Sequence, residues 1–146
     1  MTEPGDEDRP AAWPFLGALT IIVAVVIGIW LISVFSGGDL TDEQQIARAA
    51  SGQNDALQRD DYADFRAFTC AGQHSDEAKV LDAQRASVEK HGDRFVDRVA
   101  GVVIDGDRAS ADITYYFDND PEAKETVEVA FVREDGAWKV CSTGPN

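Results

Sequence analysis

The residues of this chain whose types and spacing could do chemistry are few: Cys70 and Cys141, His74 and His91, and Asp118, Asp120 and Glu122 in one short acidic stretch. Two cysteines in an otherwise cysteine-free domain read as one disulfide if the domain lies in an oxidising space, and as two buried thiols if it does not. The three carboxylates could hold a cation through oxygen, but a calcium loop needs a longer ligand series and a glycine, so a solvated turn is expected. His74 sits before a helix cap and His91 near a helix end, where a cationic imidazole suits the dipole, and both are expected in capping or surface roles. The sequence has no phosphate-cradling glycine loop, no metal-type cysteine spacing and no nucleophile motif. No catalytic residue, metal ligand or cofactor is therefore expected.

The elements that would position these groups begin with Trp13 to Phe35, a stretch without a charged residue. A bilayer core about 30 Å thick needs roughly 20 apolar helical residues to cross it. Residues 13–35 are accordingly expected to be a transmembrane helix that meets the lipid bilayer, with residues 1–12 an acidic tail, 36–41 a linker and 42–146 a single domain. A cleaved secretory signal wants a basic start, a shorter apolar stretch and small residues at the cut; Val34-Phe35-Ser36 fits that poorly, so an uncleaved signal-anchor is expected. No cysteine near the end of the run offers a lipid attachment point. Trp13 and Trp30 fall toward opposite ends, where indoles favour the interface. Arg9 precedes the run and Arg48 is the first basic residue after it, which leans toward a cytoplasmic N-terminus. The cysteine pair leans the same way and puts the C-terminal domain outside the cytoplasm. Thr20, Ala24 and Gly28 lie four apart on one face, a spacing that lets two membrane helices approach closely and offers a face for self-association, although small residues are common in such helices without it.

The formal charge is −14, of which the tail (Glu3, Asp6, Glu7 and Asp8 against Arg9) carries −3 and the remainder −11. That balance repels phosphate backbones, so nucleic acid is not an expected partner.

Three helical pieces are expected first. Thr41-Asp42-Glu43-Gln44 has the form of a capping box, and Ile46, Ala49, Ala50, Gln53 and Leu57 continue at helical spacing, with a bend expected at Ser51-Gly52. Tyr62, Phe65 and Phe68 suggest a second short helix. Ser75 is expected to cap a third, with Val80, Leu81, Gln84 and Val88 on one side and Gly92 past its end. The period then changes. Ala109, Ala111, Ile113, Tyr115 and Phe117 alternate with Arg108, Ser110, Asp112, Thr114 and Tyr116, the pattern of a half-buried strand. Asp105-Gly106-Asp107 turns it back from a strand over Phe95–Ile104. Val127, Val129 and Phe131 mark a third strand after a turn at 118–123, and Asp135-Gly136 leads into a last one with Trp138 and Val140. The expected fold is α+β: an N-terminal transmembrane helix, then helices packed on a four-stranded antiparallel meander. Strict alternation puts Cys141 opposite Trp138 and Val140, so a bridge to Cys70 requires either a bulge or a route around the sheet edge.

Ala56-Leu57-Gln58-Arg59-Asp60-Asp61-Tyr62-Ala63-Asp64-Phe65, a helix broken by acids and restarted on an aromatic, resembles the opening of nuclear transport factor 2-like domains. Asp135-Gly136-Ala137-Trp138-Lys139-Val140-Cys141 resembles their last hairpin. An anchor followed by such a domain, with Thr69-Cys70 and a second cysteine in the final strand, is similar to small single-pass envelope proteins of actinobacteria. The resemblance spans residues 42–142. It implies a curved sheet around the helices, often with a conical pocket, and membership of a superfamily that includes isomerases, dehydratases, binders and scaffolds, so fold alone leaves activity open.

A general acid or base would have to project inward, and among the inward positions of the best strand only Tyr115 has a polar tip. Asp112 and Glu128 alternate to the other face, where solvent is the ordinary outcome. A non-enzymatic role is therefore expected: a membrane-anchored extracytoplasmic interaction or scaffold domain that docks on other envelope proteins, accessory to a transport complex. The alternative is a binder of a small apolar ligand in a pocket lined by Tyr62, Phe65, Phe68, Phe95, Ile113, Tyr115, Phe131 and Trp138, residues that otherwise simply fill the core.

Overall fold

A computed structural model describes residues 13–35 and 39–142; within the first helix, side chains are described for Gly17 and residues 19–29. The tail of residues 1–12, Ser36-Gly37-Gly38 of the expected linker, and the indoles of Trp13 and Trp30 lie outside the described residues. The chain divides into two compact units, Met1–Asp39 and Leu40–Asn146. The first contains α1, Trp13–Phe35, a helix of 23 residues. Among the described residues, no helix is long and apolar enough to cross a membrane. Gly28 would meet nothing within 4 Å if it carried a Cβ, so the small-residue face of α1 is open at that point.

The second unit is an α+β domain: α2 (Asp42–Gln58), α3 (Tyr62–Phe68), a short 3-10 turn (Ala71–Gln73) and α4 (Glu77–His91), followed by β1 (Arg94–Asp105), β2 (Arg108–Phe117), β3 (Asp120–Glu134) and β4 (Ala137–Val140). The strands form one antiparallel sheet in the order β1-β2-β3-β4, the expected meander. α2 starts as its capping box dictates: Gln44 N donates to Thr41 Oγ1 and Thr41 N to Gln44 Oε1, which satisfies two of the orphan donors of the first turn. Its start is fixed on the β3–β4 hairpin, where Trp138 Nε1 of β4 and Arg133 Nη2 of β3 each donate to Asp42 at 3.0 Å. α2 then lays Ile46, Ala49 and Ala50 on the inner sheet face against Ala109, Ala111, Ile113, Phe131, Trp138 and Val140. A second cluster joins Ala56 and Leu57 to Phe65 and Val80, with Tyr62 packed against it.

Several expectations need correction. α2 runs unbroken through Ser51-Gly52. The glycine is there for space: a Cβ on Gly52 would come within 2.6 Å of the Phe68 ring. The cap of α4 is Asp76, whose carboxylate accepts from Lys79 N, rather than Ser75; Ser75 instead gives its carbonyl to the Tyr62 hydroxyl. β3 begins at Asp120 inside the expected turn, because Phe117 pairs directly with Asp120 and only Asp118 and Asn119 remain to reverse the chain. Asp120 and Glu122 stand exposed at its start.

β1 carries register shifts between Val96 and Arg98 and between Ala100 and Val103. Each bulge resets the alternation, so Val96, Val99 and Val102, three apart, all pack on the core. Gly101 makes the second shift feasible with φ +60°, and a Cβ there would meet Asp112 Oδ2 at 2.9 Å. Phe95 consequently pairs with Tyr116 on the outer face, 44 % exposed, and leaves the interior to which the sequence assigned it. Thr114, expected in solvent, is buried and shares a 2.8 Å hydrogen bond with Thr126.

Candidate functional site

The eight residues expected to line one pocket do not come together. Phe131, Trp138 and Ile113 belong to the core under α2, Phe65 and Tyr62 to the cluster with α3 and α4, and Phe68 covers Gly52. Phe95 stacks outside on Tyr116 with ring centroids 5.4 Å apart. Phe65, Phe131 and Trp138 are at most 3 % exposed, so these rings are packing. What remains between α2 and the sheet is a cavity of about 30 Å³ lined by Gln53, Asn54, Arg94, Tyr115 and a group of valines with Ile113. Of the expected eight, only Ile113 and Tyr115 border it. That volume suits about one water.

Of the polar residues around this cavity, Gln53 and Tyr115 stand at positions the sequence marks, whereas Arg94 and Asn54 carry no local signal. Arg94 is 5 % exposed. Its Nε donates to Asn54 Oδ1 at 2.8 Å, and Asn54 Nδ2 donates back to the Arg94 carbonyl at 3.0 Å. Burial draws the guanidinium below the ordinary arginine value. Gln53, on the same side of α2, donates from Nε2 to Thr69 Oγ1 at 2.9 Å and to the Ser142 carbonyl. Tyr115 donates to Glu125 Oε2 at 2.6 Å. Its phenol is raised from 10.0 to about 12, first by burial and then by this bond to a carboxylate. At neutral pH the cavity is therefore bordered by two amides, a cation and a neutral phenol whose single proton is committed to Glu125.

The raised phenol sets the sign of an alkaline effect. A folded pKa above the unfolded one stabilises fully below about pH 10, and the contribution is lost as pH rises through the folded value. Alkaline absorbance titration should show a phenol that ionises near 12 and is missing from Tyr115→Phe. One transition near pH 10 accounting for every tyrosine would contradict it.

The cysteines take the route around the sheet edge. Thr69 forms a parallel bridge with Val140, and Cys70 N donates to the Val140 carbonyl at 2.8 Å. The chain leaving α3 thus runs beside β4, and Cys141, one residue past the strand, meets Cys70 across the edge. The two are joined in a disulfide with 5.2 Å between Cα atoms, within the normal span.

The histidines differ from each other. His74 Nε2 donates to the Thr69 carbonyl at 2.7 Å and approaches that of Arg66 at 3.1 Å, which holds the turn after α3. His91 ends α4 and packs on Phe117 with centroids 5.0 Å apart. Both also border a larger groove of about 740 Å³ along α4.

No curated protein matches the chain in sequence. Among solved structures it is similar to a candidate NTF2-like transpeptidase from Campylobacter jejuni, at 16 % identity over 64 % of this chain and 94 % of that one, TM-score 0.47. A SEC-C motif containing protein from Rhodopseudomonas palustris follows at 19 % identity over 67 % and 83 %, TM-score 0.44. A candidate dehydratase of the NTF2-like family from Streptomyces avermitilis gives 17 % over 68 % and 91 %, TM-score 0.45. Residues 63–143, from the start of α3 through the last strand and its cysteine, match the family described as low molecular weight antigen MTB12, C-terminal domain, and the chain belongs to that family.

Proposed function

We propose that this protein is a membrane-anchored interaction module of the cell envelope, tethered by residues 13–35 with its C-terminal domain outside the cytoplasm. What carries the proposal is that the helix–sheet interior is filled by packed side chains, leaving about 30 Å³, far below the 300–1,000 Å³ usual for a ligand pocket. A small apolar ligand in that interior is the weaker reading for the same reason. The work then falls to the surface. The disulfide supports an oxidising location, and the charge-free apolar stretch supports the anchor.

The stacked Phe95 and Tyr116 on the outer sheet face are the best contact point for a partner protein. Exposed aromatic pairs bury large area at low entropic cost, as the anchors of protein interfaces do. Native mass spectrometry of the full-length protein, taken from its own membrane in mild detergent, should show a reproducible protein companion. Phe95→Ser should remove that companion while changing stability by less than about 1 kcal/mol, since the ring is largely exposed. The same spectrum reads self-association through the Thr20, Ala24 and Gly28 face. A bare monomer, both in native spectra and after crosslinking in intact membranes, would overturn the proposal.

A further inference from the structure

The groove along α4 runs against the acidic balance of the chain. The sequence holds 27 acidic residues against 13 Lys and Arg. Yet the described residues lining this groove include Lys79, Lys90, Arg94 and both histidines, and no Asp or Glu. An acidic protein that keeps one concave surface free of carboxylates focuses positive potential there, and low-dielectric walls strengthen it. Those walls are present: Leu57 and Val80 are nearly buried, and Ala83 and Ala86 continue the apolar strip along α4.

Gln84 adds an independent sign. It lines the groove at 7 % exposure, and its side-chain amide makes no hydrogen bond among the described residues. Its amide atoms are not sealed from solvent: they open onto the groove, where they can donate to and accept from a bound polar group. The groove volume of about 740 Å³ lies within the small-molecule range. Arg94 borders both this groove and the small cavity behind it, so the buried cation backs the basic end formed with Lys90 and His91.

We infer that the groove binds an amphipathic small-molecule anion, with a phosphate or carboxylate head among Lys90, His91 and Arg94 and an apolar body along Ala86, Ala83 and Val80. The site is distinct from the outer sheet face offered to a partner protein. Lys79 and Lys90 are exposed, and neither ammonium has an ion-pair partner among the described residues. They can therefore be neutralised without unpairing a carboxylate.

The test uses the full chain in nanodiscs of phosphatidylcholine, titrated with hexyl phosphate, hexanol, hexyltrimethylammonium and inorganic phosphate, with empty discs as blank. Hexyl phosphate should bind at least about tenfold more tightly than each of the other three, since only it supplies both charge and apolar area. Lys90→Gln should weaken it about tenfold with an unchanged circular dichroism spectrum. Gln84→Leu is the second probe and should weaken hexyl phosphate but not hexanol. Competition by discs containing phosphatidylglycerol would assign the site to bilayer phosphate, and absence of competition to a free amphiphile; either supports it. Equal binding of the anionic and cationic hexyl compounds, no binding at millimolar concentration, or an affinity that both variants leave unchanged would overturn it.

Discussion

Removing the Cys70–Cys141 bridge is expected to lower the stability of the domain by about 4–5 kcal/mol. The two residues are 71 apart in sequence, and closing a loop of that length removes about that much conformational freedom from the unfolded chain on the entropy model. The bridge also holds a junction on which much else depends. Cys70 N bonds to the Val140 carbonyl, Cys141 N to that of Ala130, and Thr69 accepts from Gln53 on α2. β4 has only four residues, so without the covalent tie its edge depends on a few backbone bonds and on Trp138. Small domains are stable by about 5–15 kcal/mol in total, which makes the loss comparable to the whole. The measurement is urea denaturation of the native protein against Cys70→Ala/Cys141→Ala, both in the same membrane mimetic. A difference under about 1 kcal/mol would show that the ordered edge survives without the bridge, and that the unfolded chain gains little from its release.

Much of this edge could be read from the residues, and the part that could not has a physical cause. Alternation from Arg108 to Phe117 identified β2 and its inward face, because a central strand with one covered face leaves the simplest pattern. The Thr41 and Gln44 box placed the start of α2 within a residue for a similar reason: its chemistry is local. Phe95 was misplaced because two bulges in β1 convert a period of two into one of three, and the only local trace is Gly101, whose positive φ a sequence does not announce. Gly52 looked like a weak point of the helix, yet it is a contact with Phe68, 16 residues later. The buried Arg94 and Asn54, and the basic groove, were invisible in the same sense. Their members come from α2, α4, the turn before α4 and the start of β1, and only the folded chain brings them to one surface. Charge counted along the sequence gives −14 and suggests an acidic surface throughout; charge counted by place isolates one surface of opposite character.

Phe131→Ala is expected to destabilise the domain by about 3–5 kcal/mol, the usual loss when a fully buried aromatic leaves a cavity that cannot collapse. Phe131 is 1 % exposed in the middle of the core under α2, beside Ile46, Ala49, Trp138 and Val140. Its neighbours on β2 are alanines, Ala109 and Ala111, so the ring fills space that small residues leave open and nothing adjacent is long enough to replace it. The same substitution at Phe95, 44 % exposed on the outer face, should cost less than about 1 kcal/mol. The contrast bears directly on function. If the interior were a ligand site with slack, trimming Phe131 would enlarge it cheaply, and the two phenylalanines would behave alike. A large loss at Phe131 together with a small one at Phe95 is what a filled interior and a working surface require. Thermal or urea unfolding of the two variants side by side decides it, and a loss below about 1 kcal/mol at Phe131 would put the apolar-ligand reading ahead of the interaction module.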